Sequence, residues 1–319
     1  MSPSVKTLAN SKTTWKRKAV MDFGTNTFHL LIADVSSQGD FRKVLHRRIT
    51  VKLGQGGIHE GYITPVAFKR GINAVATFRK YLDAYGLKTA IAYGTAALRM
   101  ASNGGEFTRQ IKKDYGVTLS VIDGDREAAF ICDGVRKAVD LQNRNALIMD
   151  IGGGSTEFIL ADACKVYWKR SYKLGSSFLL ETFKPSDPIK PSEVRKMESY
   201  FDAQLQELMA RCQKHPPVLL VGSAGSFETF ASMIRFLHPE AGSHYRKKSH
   251  PIAIAHFREL HHRLLGSTHA ERMQLRGLLK MRADMIVPAA ILLNFVLKKI
   301  KIKHMEMSSY SLKEGALLS

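Results

Sequence analysis

The spacing of apolar and polar positions changes along the chain, and each change marks an element. Phe68, Ile72, Val75, Phe78 and Leu82 recur three or four residues apart and predict a helix over 68–85, which Gly86 stops. A short apolar run at about 89–93 predicts a strand. The segment GTAALRMASNG (94–104) follows, with Thr95 as a helix cap and Arg99 one turn later. VTLSVID (117–123) predicts another strand, Gly124-Asp125 a turn, and 126–139 a helix with Glu127 in its first turn. Strands alternating with helices predict an α/β fold.

Past residue 140 the alternation begins again. Residues 184–193 form a Pro-punctuated loop, and 192–214 have the periodicity of an amphipathic helix. PPVLLVGSAGSFETFASMI (216–234) predicts a buried strand, a small-residue turn at 222–226 and a helix. That turn is a candidate phosphate loop without the lysine of a Walker A motif. RKKSHPIA (246–253) is basic and predicted to be exposed. Residues 281–300 predict a long apolar helix whose face packs in a core. Pro288 is expected to kink it, and Arg282-Ala283-Asp284 form its polar head.

Two stretches share a further pattern. AVMDFGTNTFHLLIADV (19–35) and LIMDIGGGSTEFIL (147–160) both drive an apolar run into an Asp and then into small residues. A shift of 128 positions places Asp22 on Asp150, Gly24 on Gly152, Ala33 on Ala161 and Asp34 on Asp162 without a gap. Each copy predicts strand, tight turn, strand: one supersecondary unit used twice, once per domain. Glycines and small hydroxyl residues leave backbone N–H groups open to phosphate oxygens. A leading Asp repels phosphate unless Mg²⁺ stands between them, because Mg²⁺ takes one or two carboxylates along with water and phosphate oxygens. Two such hairpins facing across a cleft would grip a phosphate chain from both sides.

Composition narrows the partners. The 319 residues, 45% of them hydrophobic, suit two domains. Lys and Arg number 48 against 28 Asp and Glu, a net charge of +20, which calls for a polyanionic partner. Cys132, Cys164 and Cys212 are far apart and form no CxxC, so reduced, buried thiols in a cytoplasmic protein are expected. The 12 histidines show no HExxH spacing, and His261-His262 are expected on the surface rather than in a metal site. Residues 1–18 are basic, Ser/Thr-rich and lack the apolar core of a signal peptide, so they are expected to be a disordered tail. No apolar run approaches membrane-spanning length.

Eight blocks of the chain, in order, resemble the exopolyphosphatase/guanosine pentaphosphate phosphatase (Ppx/GppA) family in its short, two-domain form. They are MDFGTNTFHLLIADV, GTAALRMASNG, IDGDREAAFICDGV, MDIGGGSTEFIL, KLGSSFLLETF, VGSAGSFETFA, MRADMIVPAAIL and SYSLKEGALL. The resemblance spans Ala19 to Leu318. It implies two actin/hexokinase-like (ribonuclease H-like) α/β domains, each with a mixed five-stranded sheet, and a cleft between them. The domains would be 19–138 plus about 302–319, and 139–301. By the same resemblance Glu127 is the catalytic carboxylate, with Glu157 beside it. Asp22 and Asp150 would hold Mg²⁺ or Mn²⁺. Phosphate would be bound by Thr25, Asn26, Arg99, Asn103, Gly153, Gly154, Ser155, Thr156, Gly222, Gly225 and Ser226.

Phosphoanhydride hydrolysis needs an in-line water, a base to orient it and neutralisation of charge on the transferred phosphoryl group. Glu127 is the favoured base, and Arg99 with the loop N–H groups supplies preorganised donors. Some positions depart from the family pattern. Arg126 replaces an acid, and a cation there is expected to lower the Glu127 pKa. Ala224-Gly225 replaces Gly-Gly, followed by Ser226 for Thr, and the added methyl is expected to crowd the third loop. The leading expectation is an exopolyphosphatase acting on inorganic polyphosphate. The alternatives are a pppGpp 5′-phosphatase, a non-catalytic polyphosphate or alarmone binder and, lower, a sugar kinase or other ATPase. No nucleic-acid recognition motif is present, and a homodimer is suggested by the resemblance alone.

Overall fold

The computed structural model describes residues 14–241 and 248–319. The first part lays down β1 (Trp15–Phe23), β2 (Thr27–Ser36) and β3 (Phe41–Thr50) as an antiparallel meander. It continues with α1 (Pro65–Ala84), β4 (Ile91–Gly94), α2 (Ala96–Met100), α3 (Gly104–Tyr115), β5 (Leu119–Val121) and α4 (Gly124–Ala138). The second part repeats the meander with β6 (Ala146–Ile151), β7 (Thr156–Ala161) and β8 (Val166–Tyr172). Then come α5 (Ser176–Phe183), α6 (Pro191–Gln204), α7 (Gln206–Lys214), β9 (Leu219–Ser223) and α8 (Ala224–Leu237). The chain ends with β10 (Ser249–Pro251), α9 (Ile254–Gly266), α10 (His269–Arg272), α11 (Ile286–Ile300), β11 (His304–Ser308) and α12 (Leu312–Leu318).

One sheet has the order β3-β2-β1-β4-β5, with β4 parallel to β1 and β5 parallel to β4. The other has the order β10-β11-β9-β6-β7-β8. Traced from β8, its first five strands reproduce the order of the first sheet, so the ribonuclease H-like plan of actin-like domains is present twice. The second sheet has six strands rather than the expected five, because Ser249–Pro251 pair antiparallel with Glu306–Ser308 as an extra edge.

The two sheets share a core. Val20 and Leu31 from the first sheet, Ile148, Ile159 and Val221 from the second, and Phe130, Ile131 and Leu317 from α4 and α12 form one apolar cluster. The helices α4 and α12 therefore lie between the sheets, and they touch backbone to backbone. A Cβ on Gly315 would stand 1.9 Å from the Phe130 carbonyl oxygen, and one on Gly134 would stand 2.2 Å from that of Ser311. α4 packs on β6, β7 and β8 of the second meander and α12 on β1 and β2 of the first, so the crossing brings Glu127 to the junction of the two.

Several boundaries differ from the sequence expectation. Trp15–Lys18 belong to β1 and pair with Ala33–Ser36, so the tail cannot extend to residue 18. Arg42 stacks on Trp15 at 4.4 Å and Arg17 pairs with Asp34 at 2.8 Å, which holds this end of the strand. Residues 1–13 of that expected tail lie outside the described residues. β11 pairs with β9 in the second sheet, so the return to the first domain starts at α12 rather than near residue 302. The helix expected over 192–214 breaks at Leu205. α11 starts only at Ile286, which puts Pro288 in its first turn, where proline is tolerated, and not at a kink. Of 246–253, residues 246 and 247 lie outside the described residues, and His250 and Ile252 are buried rather than exposed. Cys132 and Cys212 are buried, and burial pushes their thiols up to about 11 and about 12. Cys164 is exposed, in the turn between β7 and β8. No helix among the described residues is long and apolar enough to cross a membrane.

Candidate active site

The two repeated hairpins meet. Their turns close with equivalent hydrogen bonds, from Gly24 N to the Thr27 carbonyl (3.2 Å) and from Gly152 N to the Ser155 carbonyl (3.0 Å). A Cβ on Gly153 would stand 2.5 Å from Asn26 Nδ2, and one on Gly154 would stand 2.8 Å from Thr25 Oγ1. Only bare backbone permits that approach. Ser177, in the first turn of α5, donates to Asn26 Oδ1 at 3.0 Å and fastens the junction. Beside it lies a cavity of about 100 Å³, lined by Asp22, Thr25, Asn26, Glu127, Asp150 and the Gly152–Ser155 turn.

Four carboxylates surround or back this cavity. Ser311 donates to Asp150 Oδ2 at 2.7 Å, and Ser223 donates to the same oxygen, which leaves Oδ1 for another ligand. Burial raises Asp150; burial and then the Asp150 charge raise Asp22 to about 7, against the opposing pull of Lys313. Lys313 is itself buried, 3.3 Å from Glu314, which also pairs with Lys43 at 2.8 Å.

Glu127 stands in the first turn of α4, whose start is capped by Asp123 accepting from Arg126 N at 2.7 Å. Arg99 Nη1 donates to Glu127 Oε2 at 2.9 Å and to the Ile122 carbonyl at 2.8 Å. Burial, followed by the nearby Glu157, pushes the Glu127 carboxyl well above the usual carboxylate range, and Arg99 only partly offsets them. Glu157 Oε1 accepts from Ser155 Oγ (2.6 Å) and Ser171 Oγ (2.7 Å). Burial and then the Asp150 charge raise Glu157 to about 7.

Two cavity-lining side chains escaped the sequence reading. Arg282 reaches into the cavity over the third loop, where a Cβ on Gly225 would stand 1.8 Å from its Nη2. Its Nε has no hydrogen-bond partner among the described residues, and burial lowers its pKa to about 10. The polar head at 282–284 was the signal for it. His29 also lines the cavity. It pairs across β1–β2 with Asp22 as Glu157 pairs across β6–β7 with Asp150, and a shift of 128 superposes the two positions. Burial and then Lys313 hold its imidazole well below its ordinary pKa, and its Nδ1 lies 3.2 Å from His46 Nε2.

The family model described as the Ppx/GppA phosphatase family matches residues 31–319. The chain belongs to the Ppx/GppA phosphatase family. As a member it is an enzyme of the phosphoanhydride hydrolase class. It is 26% identical to the protein named exopolyphosphatase 1 of Mycobacterium tuberculosis, over 95% of this chain and 87% of that one. The crystal structure of an exopolyphosphatase from Cytophaga hutchinsonii is similar with a TM-score of 0.91 and 37% identity, covering 95% of this chain and 96% of that one. A Ppx/GppA family member from Aquifex aeolicus shares the fold, with a TM-score of 0.79 and 23% identity over 96% of this chain and 97% of that one.

Not every position carried over from the Ppx/GppA pattern faces the cavity. Asn103 clamps Ile63 instead, accepting from its N–H and donating to its carbonyl, both at 2.9 Å. Thr156 turns away and donates to the Leu174 carbonyl (2.9 Å), and Ser226 donates to the Ile151 carbonyl (3.0 Å). Gly222 is required by packing, since a Cβ there would fall 1.9 Å from the Phe227 ring. All four hold the loops in place, and no side-chain group of theirs faces the cavity. Arg99 stands behind Glu127, on the wall of an adjoining cavity. Arg126 is exposed and stacks on Phe130 at 4.3 Å, so the expected lowering of the Glu127 pKa does not occur. Ala224 adopts a left-handed conformation, φ 63°.

Proposed function

We propose that this Ppx/GppA member is an exopolyphosphatase that removes terminal phosphates from inorganic polyphosphate with the help of Mg²⁺. The observation that carries this reading is the shape and charge of the site. The inner cavity, about 100 Å³, is well below the roughly 300–1,000 Å³ of pockets that enclose drug-sized ligands. It suits a terminal phosphoryl group and is too small for a nucleoside. An adjoining cavity of about 460 Å³ shares Ala96 and Ser155 with it. Arg99, Arg170 and Lys173 line this second space along with Asp123 and Asp125. A chain of phosphates would find cationic groups there, and the net charge of +20 favours such a substrate over a single nucleotide.

The donor set fits Mg²⁺, and Mn²⁺ by the same argument. Asp22 and Asp150 face one polar cavity, one Asp150 oxygen is free of the serine bonds, and burial disfavours the ionised form of both acids by more than Lys313 offsets, which a bound cation would reverse. These two aspartates would hold the ion, which when bound neutralises charge on the non-bridging oxygens. Thr25, the Gly153–Ser155 turn and Arg282 orient the terminal phosphate and offer donors to it. Glu127 takes the proton of the attacking water. Arg99 keeps part of its carboxyl population ionised, and the Glu157 charge makes the ionised form a stronger base.

Phosphate release from polyphosphate, pppGpp and ATP, each with and without Mg²⁺, tests this reading. Fast Mg²⁺-dependent release from polyphosphate is expected. Faster release from pppGpp would move the substrate to the alarmone, and transfer from ATP to a sugar would make the protein a kinase.

A further inference from the structure

Far from the cleft, a group of side chains has the composition of a transition-metal site. His238 ends α8, Glu240 follows in a short 3₁₀ turn, and His256 stands in the first turn of α9. One imidazole nitrogen from each histidine and a Glu240 carboxylate oxygen all lie within 4.8 Å of one another. We propose that His238, Glu240 and His256 bind a divalent transition ion of the zinc class, with Glu259 orienting His238.

Three observations support the assignment. His238 has a carboxylate near each nitrogen: its Nδ1 is hydrogen-bonded to Glu240 Oε1 at 3.2 Å, and its Nε2 lies 3.0 Å from Glu259 Oε2 at an ion-pair distance without hydrogen-bond geometry. A metal-ligating histidine commonly gives its second nitrogen to a carboxylate, which fixes the tautomer and strengthens the ligand, and Glu259 is close enough to take that role after a small turn of the ring. The Nδ1 of His256 is buried and has no hydrogen-bond partner among the described residues, so a lone pair or N–H there lacks a mate. The two imidazoles are stacked 3.8 Å apart at 4°. The stack brings both rings to one place; because imidazole lone pairs lie in the ring plane, one ring turns out of the stack for both nitrogens to meet one ion.

Ligand chemistry selects the metal. Two imidazoles and a carboxylate suit Zn²⁺, Ni²⁺ or Cu²⁺, whereas Mg²⁺ prefers oxygen and keeps its water. The carbonyl end of α8 also favours a cation. The site is separate from catalysis. α8 begins at Ala224, beside the cavity, and its 14 residues place His238 roughly 20 Å away. The sequence expectation of no histidine metal site rested on the missing HExxH spacing. This site instead pairs His-x-Glu on one element with His-x-x-Glu on another, and only the packing of α8 against α9 unites them.

The test uses the full, tag-free chain stripped with chelator and held in excess Mg²⁺ to occupy the cleft, titrated calorimetrically with zinc chloride. Wild type is expected to bind one more zinc per chain than H238A/H256A. The Glu259→Gln variant should keep the stoichiometry with about 10- to 100-fold weaker affinity. Circular dichroism confirms that each variant folds. Equal stoichiometry and affinity in wild type and H238A/H256A, loss of the zinc in Cys164→Ser, or no zinc uptake by wild type would each overturn the proposal. None of these readouts depends on phosphate release.

Discussion

Arg99 Nη1 lies 2.9 Å from Glu127 Oε2, and this contact favours the ionised form of a buried acid. Both burial and the neighbouring Glu157 hold the Glu127 proton on, and Arg99 opposes them. Arg99→Ala removes that opposition, so the Glu127 pKa rises further and less base is available at neutral pH. The acidic limb of the kcat/KM profile should move to higher pH, with activity near pH 7 lower by about 10²-fold. Glu157→Gln removes a like charge and should move the same limb to lower pH. Phosphate release measured across pH 5–9 checks both signs.

Stability should respond to pH and Mg²⁺ together. Asp22 and Glu157 are raised to about 7, far above their unfolded values. The folded chain therefore binds more protons than the unfolded chain between roughly pH 4 and 7. The stabilisation from these protons is full below the unfolded pKa values and is lost as pH rises through about 7. Mg²⁺ competes with the protons and binds the ionised form. Without Mg²⁺ the melting temperature should fall between pH 5.5 and 8, and adding Mg²⁺ should raise it more at pH 8 than at pH 5.5.

Ala224 holds a left-handed backbone with φ 63° at the start of α8. An L side chain costs free energy there and glycine does not. Ala224→Gly should raise unfolding stability by about 1 kcal/mol in urea titration, with the slope unchanged.

Gly315 lets α12 cross α4, since its missing Cβ would otherwise meet the Phe130 carbonyl at 1.9 Å. Gly315→Ala must push the helices apart and should cost about 1–3 kcal/mol of stability. Because α4 carries Glu127, kcat should fall as well, although the substitution lies away from the cavity.

The parts of the molecule that were readable in the sequence are those fixed by local pattern. The 128-residue shift marked both hairpins and both cleft aspartates, because a tight turn needs its glycines wherever it lies. Taken one residue pair further, the same shift would have flagged His29 opposite Asp22. Direction was not readable. Thr156 and Ser226 sit in the right loops, yet their hydroxyls satisfy the Leu174 and Ile151 carbonyls, and only the folded backbone decides that. Arg126 shows the same limit: its neighbour in sequence is Glu127, but its guanidinium lies on Phe130, and the cation that matters comes from α2. The placement of α4 and α12 between two sheets depends on contacts nearly 200 residues apart, which no local period encodes.

In the proposed mechanism Glu127, backed by Arg99, removes the proton of the attacking water at a site assembled from the two hairpins. The most direct measurement compares wild type with Glu127→Gln for phosphate release from polyphosphate and for polyphosphate binding in the same Mg²⁺ buffer. Release is expected to drop by at least about 10²-fold while binding stays within a few-fold of wild type. Release at the wild-type rate would contradict it.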